Sequence, residues 1–326
     1  LQGPRVRVGV LREPITLQEG SEVWLTEKAG DPQAIPIDLP RLTEQLPPGA
    51  RVLLDNGLIE LEVLAKEPPR LRCRVVEGGV LSSHKGVNLP DVALDLPSVT
   101  DRDRADLEFA LSREVDYVAL SFVRSADDIR HLRALMKQLG REDVPIIAKL
   151  EKPQALAHLD EILAEADAVM VARGDLGVEL PLERVPLVQK EIIARANRLG
   201  VPVITATEML ESMIEEYRPT RAEASDVANA VLDGTDAVML SGETSVGKHP
   251  VEAVQVMARI VREAEETLAQ RGAWQPAKVE SPFDYANAVG HCACLAAIDL
   301  RARAIVAFTR SGLTARLISK YHPPLP

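Results

Sequence analysis

The chain has 326 residues, of which 46% are apolar and 27% charged. That balance excludes disorder and collagen, and at roughly 100–200 residues per domain it leaves room for two or three domains. With 38 basic against 49 acidic residues the formal charge is −11, and no block of Lys and Arg forms the footprint of a nucleic-acid binder. Local basic side chains and helix N-termini still leave phosphate ligands open. No apolar run approaches the ~20 residues that cross a bilayer, and there is no charged-then-apolar leader, so a cytoplasmic location and no membrane partner are expected.

Leu1–Pro4 reads as the tail of a barrel strand. Residues 5–94 then alternate short β-like runs (Val6–Leu11, Glu22–Leu25, Arg51–Leu54, Ile59–Leu64, Leu71–Val76) with turn chemistry such as Asp55-Asn56-Gly57. This predicts a small β domain with no long amphipathic helix. From 95 to 269 the pattern changes. Apolar runs without polar alternation (Val115–Val123, Val144–Leu150, Ala168–Ala172, Val201–Ala206, Ala237–Leu240) predict parallel strands buried on both faces. Amphipathic stretches over Ser125–Leu139, Gln154–Glu165, Leu187–Leu199, Arg221–Leu232 and Pro250–Leu268 predict the helices between them. Residues 270–282 read as a linker. A helix (Phe283–Leu300), a strand (Ala304–Phe308) and a helix (Leu313–Tyr321) then open a further α/β domain over 283–326.

Each apolar strand ends in a polar cluster: Ser121–Arg124, Lys149–Glu151, Arg173–Asp175, Thr205–Glu208 and Ser241–Thr244. A closed barrel turns all strand ends to one mouth, whereas a doubly wound sheet spreads them along an edge, so the expected class is α/β, a (β/α)8 TIM barrel. Five strands are legible where eight are needed. The expectation is therefore a barrel lacking its first strands, with 5–94 inserted as a small β-barrel lid domain and the chain cut at both ends.

Glu151 and Asp175, with no Cys or His nearby, make an all-oxygen pair suited to Mg2+ or Mn2+, and Lys149 beside it suits charge developing on a transferring group. The plain alternative is a Lys149–Glu151 salt bridge. Gly174 lets backbone approach a ligand closely, or else serves a simple turn. Thr207, Ser241 and Glu243 suit a proton relay, or else cap helices. Cys73, Cys292 and Cys294 lack zinc-type spacing and read as ordinary thiols.

The motifs Lys149-Leu-Glu151, Met170–Gly177, Thr205–Met213, Arg218–Glu223, Ser225–Gly234 and Met239–Thr244, with Gly3-Pro4-x-x-Arg7 and Lys85–Pro90, stand in the order found in pyruvate kinases. The chain resembles that family along essentially its whole length. The resemblance implies phosphoryl transfer from phosphoenolpyruvate to ADP, giving pyruvate and ATP in glycolysis. It assigns Lys149 to the phosphoryl group in flight, Glu151 and Asp175 to the divalent cation, Gly174 and Asp175 to the substrate carboxylate, and Thr207 to the enolate carbon. Arg7 and Lys85 match basic residues that meet nucleotide and phosphoryl group, and Asp55 matches a lid carboxylate that pairs with Arg7 on closure. Arg5 stands at a position that is acidic in many K+-dependent relatives and basic in others, so the resemblance implies either K+ as a cofactor or its replacement by the Arg5 guanidinium. Thr309, Ser311, Gly312 and Thr314 match a loop that binds an effector phosphate, or else form an N-cap. A homotetramer is implied for the full-length parent. The family's Arg-x-Asn-x-Ser segment has no counterpart, so the polypeptide as given is expected to be inactive. A Mg2+-dependent enolate aldolase or lyase and a non-catalytic relative are the competing readings; the basic pair Arg7 and Lys85 argues against the lyase, and retention of Lys149, Glu151 and Asp175 against a non-catalytic chain.

Overall fold

The computed structural model describes residues 1–92, 94, 96–270 and 285–325. Thirteen strands and twelve α-helices are assigned among them. The first eight strands are β1 (Ile15–Leu17), β2 (Glu22–Thr26), β3 (Ile35–Pro36), β4 (Arg51–Leu54), β5 (Ile59–Glu67), β6 (Arg70–Glu77), β7 (Gly79–Leu81) and β8 (Val87–Asn88). They form a six-stranded sheet in the order β3-β2-β6-β5-β4-β8 and a β1-β7 ribbon, interrupted only by the four-residue helix α1 (Leu42–Gln45). Asp55 and Asn56 adopt left-handed backbone (φ 51° and 57°) before Gly57, the turn that Asx residues and glycine tolerate best.

The two outer strands of that sheet are joined by the segment around Arg7. Arg7 bridges Gly86 beside β8 and Val8 bridges Ile37 beyond β3, through Val8 N–Lys85 O, Gly9 N–Pro36 O and Asp38 N–Arg7 O bonds, each 2.8 Å. The sheet thus curls onto itself around an apolar core that includes Val8, Leu25, Leu54, Leu61, Leu71 and Leu81.

The remaining strands, β9 (Val118–Leu120), β10 (Ile146–Leu150), β11 (Ala168–Ala172), β12 (Val203–Ala206) and β13 (Ala237–Met239), form a parallel sheet in unbroken chain order. A doubly wound sheet reverses its strand order at a switch point, and this one does not; it is wound in a single sense, as barrel staves are. All five residues of β11 are buried, which explains a run with no polar alternation. Leu1 lies beside β9, its amino group donating to Ala119 O at 2.7 Å, although residues 1–4 form no regular strand.

The connecting helices are α2 (Asp101–Leu111), α3 (Ala126–Gln138), α4 (Pro153–Ala157), α5 (Leu159–Glu165), α6 (Arg173–Glu179), α7 (Val185–Leu199), α8 (Arg221–Leu232), α9 (Gly242–Ser245) and α10 (Pro250–Gln270). Two differ from expectation. The stretch Gln154–Glu165 is two helices, parted where His158 leaves helical backbone (φ −115°, ψ 21°), and Asp160 and Glu161 favour a fresh helix start. Helix α2 escapes periodicity because only Asp103, Leu107 and Leu111 of its face are buried; its signal is the capping box of Thr100 and Asp103.

Helices α11 (Tyr285–Asp299) and α12 (Leu313–Ser319) follow. The strand expected over Ala304–Phe308 is not formed. Among the described residues no segment pairs with it, and Phe308 is 94% exposed, so its backbone has no ladder to join. The expected linker lies, beyond Gln270, outside the described residues, as do Phe283 and Asp284. Cys73, Cys292 and Cys294 are free thiols, and burial pushes Cys73 up to about 12. Among the described residues no helix is long and apolar enough to cross a membrane.

Candidate active site

The strand register brings the polar exits together. Leu120 pairs with Ala148, so the next residues, Ser121 and Lys149, stand side by side, and the Lys149 ammonium donates to Ser121 Oγ at 3.0 Å. Ala172 pairs with Ala206, so Arg173 and Thr207 are each the first residue past their strands.

Lys149 Nζ lies 2.5 Å from Glu151 Oε1, and the Glu151 side chain is fully buried. Its other oxygen accepts from Phe122 N at 2.7 Å. Burial pushes the Glu151 carboxyl above its ordinary value; Lys149 opposes this, while the negative charge of Asp175 reinforces it. Beyond the lysine, Glu151 Oε1 accepts no hydrogen bond. A buried carboxylate oxygen with spare lone pairs and a second carboxylate close enough to repel it form an all-oxygen donor set that fits a hard divalent cation. Among the described residues no three His, Cys, Asp or Glu side chains converge, so further ligands would be water or substrate oxygens.

Thr207 and Glu208 adopt left-handed backbone (φ 68° and 54°), unfavourable for both residue types. Arg173, 9% exposed, fixes them there: Nη2 donates to Thr207 O at 2.7 Å and to Glu208 O at 3.1 Å, and Nη1 meets Asp226 at 2.5 Å. The Thr207 hydroxyl donates to Ala206 O at 2.6 Å and accepts from Gly174 N at 2.7 Å. The Gly174 amide therefore faces Thr207, and a ligand would reach it by displacing that bond.

Glu243 is buried, and both its oxygens are taken by main-chain amides, those of Leu210 (3.0 Å) and Ser241 (2.7 Å). It braces the loop after Thr207, and these contacts do not link it to the Thr207 hydroxyl. On the lid, Asp55 pairs with Lys85 at 2.9 Å rather than with Arg7, because the Asp55 N–Gly86 O bond holds those two segments level; Arg7 donates instead to His84 O at 3.0 Å. A cavity of about 330 Å³ separates lid from barrel mouth, and Arg5, Arg7, Asn56, Phe122, Lys152 and Asp175 line it. Lys149 and Thr207 are not in its wall. Arg5 lies 5.7 Å from the Phe122 ring centre and is otherwise unpaired among the described residues. Thr309, Ser311 and Thr314 are exposed beside Gly312 (φ 81°), far along the chain from these exits.

Residues 1–254 match the family model of the pyruvate kinase barrel domain, and residues 287–326 that of the pyruvate kinase alpha/beta domain. The chain belongs to the pyruvate kinase family. It is 46% identical over 330 residues to the pyruvate kinase of Geobacillus stearothermophilus, and 47% identical over 342 residues to pyruvate kinase 2 of Synechocystis; all of this chain and 56% of each relative are covered. The Mycobacterium tuberculosis enzyme is 49% identical over 329 residues, all of this chain and 69% of that one. The crystal structure of a pyruvate kinase from Cryptosporidium parvum superposes with a TM-score of 0.90 at 38% identity, over 99% of this chain and 68% of that chain. The chain thus spans little more than half the length of the first two relatives. Family membership accounts for the α/β architecture described above, and the family generally uses Mg2+ and K+.

Sequence reasoning gave no role to Ser121, Arg173 or Glu243's backbone contacts. Ser121 was reachable, since it directly follows a buried run; the grip of Arg173 on two carbonyls 34 and 35 residues away leaves no local signal.

Proposed function

We propose that this chain carries the catalytic core of a pyruvate kinase, transferring a phosphoryl group from phosphoenolpyruvate to ADP. The observation that supports this best is the meeting of Lys149, Ser121 and Glu151 at one pair of strand exits, with Asp175 and Thr207 on the next two. Glu151 and Asp175 would hold Mg2+ or Mn2+, which supplies charge neutralisation on the oxygens of the acid and the phosphoryl group when bound. The Lys149 ammonium sits where a phosphoryl group leaving the enol oxygen would gather negative charge, and stabilises it. Departure of that group leaves an enolate, and the Thr207 hydroxyl, oriented by Ala206 O and Gly174 N, helps to bring a proton to its carbon. The Gly174 amide receives the substrate carboxylate once it leaves the Thr207 hydroxyl, which keeps its bond to Ala206 O.

Arg7 and Lys85 meet the nucleotide phosphates from the lid, and closing the cavity excludes water from the phosphoryl group in flight. Arg5, exposed and without a counter-ion among the described residues, stands in for the monovalent cation. Thr309, Ser311, Gly312 and Thr314 receive the phosphate of an effector, Glu243 holds the Leu210 and Ser241 amides and so positions the loop after Thr207 rather than carrying a proton, and the full-length protein is a cytoplasmic homotetramer. We also read residues 5–94, 95–269 and 283–326 as lid, barrel and regulatory units. The test is pyruvate and ATP formation from phosphoenolpyruvate and ADP with Mg2+ by the full-length protein. Turnover that Asp175→Ala abolishes supports the assignment; turnover surviving in Asp175→Ala, or none in the wild type, overturns it.

A further inference from the structure

One carboxylate sits where lid and barrel meet. Glu179 ends α6, the helix whose first turn carries Asp175, and its side chain is fully buried. Its Oε1 accepts from Asn88 Nδ2 at 2.8 Å and meets the Lys152 ammonium. The Oε2 atom is buried and accepts nothing, so Asn88 and Lys152 are the partners that hold the carboxylate. Each leads elsewhere. Asn88 belongs to β8, three residues beyond Lys85, and Lys152 directly follows Glu151. Gly57, in the turn after Asp55, approaches Val178, the residue before Glu179, at 3.6 Å for a Cβ built on it.

We propose that Glu179 is a positioning residue that couples the lid to both carboxylates of the metal site. A lid movement that shifts Asn88 must either carry Glu179 with it or break a charge-assisted hydrogen bond to a fully buried carboxylate. Carrying Glu179 turns a helix of seven residues, too short to absorb the motion by bending, and so moves Asp175. Lys152 passes the same displacement to Glu151 through a single peptide unit. Lys85 on the lid and the metal site on the barrel are thereby held in register by one side chain. Glu179 touches no reacting atom. The inference rests on the metal assignment under the proposed function, and its consequence is distinctive: a lid residue outside the metal site controls affinity for the metal.

The experiment is a double-mutant cycle read by Mn2+ binding in the absence of nucleotide and phosphoenolpyruvate, on the intact protein. Outer partners of metal ligands typically contribute 10–100-fold to affinity, and one lid contact acting through Glu179 should supply about tenfold. Asn88→Ala is expected to weaken Mn2+ binding about tenfold in the wild type and to have no further effect in Glu179→Ala; Glu179→Met, which keeps volume and accepts no hydrogen bond from Asn88, replaces the latter if alanine prevents folding. A second reading, hydrogen exchange of the amides of residues 85–89, should rise equally in Asn88→Ala and Glu179→Met, both of which lose the Asn88–Glu179 hydrogen bond. Unchanged Mn2+ affinity in Asn88→Ala, or the same loss in both backgrounds, overturns the coupling. If the wild type binds no Mn2+, the metal assignment fails, and the exchange measurement alone decides whether Glu179 holds the lid. A wild type without phosphotransfer but with the cycle intact refutes the proposed reaction and supports the junction.

Discussion

Replacing Arg173 with Met probes how the strained turn at Thr207 is held. The guanidinium donates to the carbonyls of Thr207 and Glu208 in a buried setting, and methionine keeps much of the volume while donating to neither. Each carbonyl left without a donor costs about 1–3 kcal/mol, so the pair contributes roughly 2–6 kcal/mol. Asp226, with its side chain 39% exposed, regains water and adds little. Two residues in left-handed backbone relax when released, each returning about 1–2 kcal/mol, which brings the net loss down to about 1 kcal/mol. That corresponds to a fall in Tm of only about 1–2 °C for a protein of this size, so the kinetic effect is the decisive one. The relaxation displaces the Thr207 hydroxyl, and a displacement of about 1 Å lowers kcat about a hundredfold under the proposed reaction. Calorimetry and steady-state kinetics read the two effects separately, with Arg173→Lys as the control that keeps charge and loses the fork. A kcat within about threefold of wild type, with the fold intact by calorimetry, would show that the turn holds itself, and would refute the reasoning.

Further expectations follow from the same contacts. Lys149→Met should suppress ADP phosphorylation more strongly than metal-assisted proton exchange at pyruvate, since the lysine acts on phosphorus and Thr207 on the enolate; equal losses, with the fold intact by circular dichroism, count against that division. The wild type should turn over similarly in K+ and in bulky organic cations, and Arg5→Glu should create a K+ requirement; a wild type silent until K+ is added makes Arg5 a bystander. Burial pushes the Glu223 carboxyl up, but hydrogen bonds from Ser212 and Thr220 together outweigh it and leave it below its ordinary value. Its contribution to stability is therefore full above the unfolded carboxylate pKa and disappears as pH falls through the lower folded value. Glu223→Gln should flatten the acid limb of a urea-midpoint profile, and an unaltered limb would remove Glu223 from the account.

The parallel strands and their helices were legible because burial on both faces leaves unbroken apolar runs such as Ala168–Ala172, and because stretches such as Arg221–Leu232 alternate apolar and polar faces at helical spacing. Ser121 and Lys149 could be guessed as strand exits, but their meeting depends on a register that no local pattern encodes. The Ala304–Phe308 run shows the limit from the other side: composition suits a strand, yet a strand exists only where a neighbour offers its hydrogen bonds. Glu179 was invisible for a different reason. Its partners Asn88 and Lys152 lie 91 and 27 residues away, and a glutamate ending a short helix reads as solvent-facing.

The unbroken order of the parallel sheet also acts as a ruler. Neighbouring strands stand about 4.8 Å apart, so β10, bearing Lys149, and β12, leading to Thr207, are separated by about 10 Å with the Gly174–Asp175 exit between them. A molecule addressed by all three exits must place its two reacting ends within that interval, less the inward reach of the side chains. The separation of the exits is in this way a property of the backbone ladder, fixed by the sheet, while the side chains at the mouth set how much of that interval a ligand can fill.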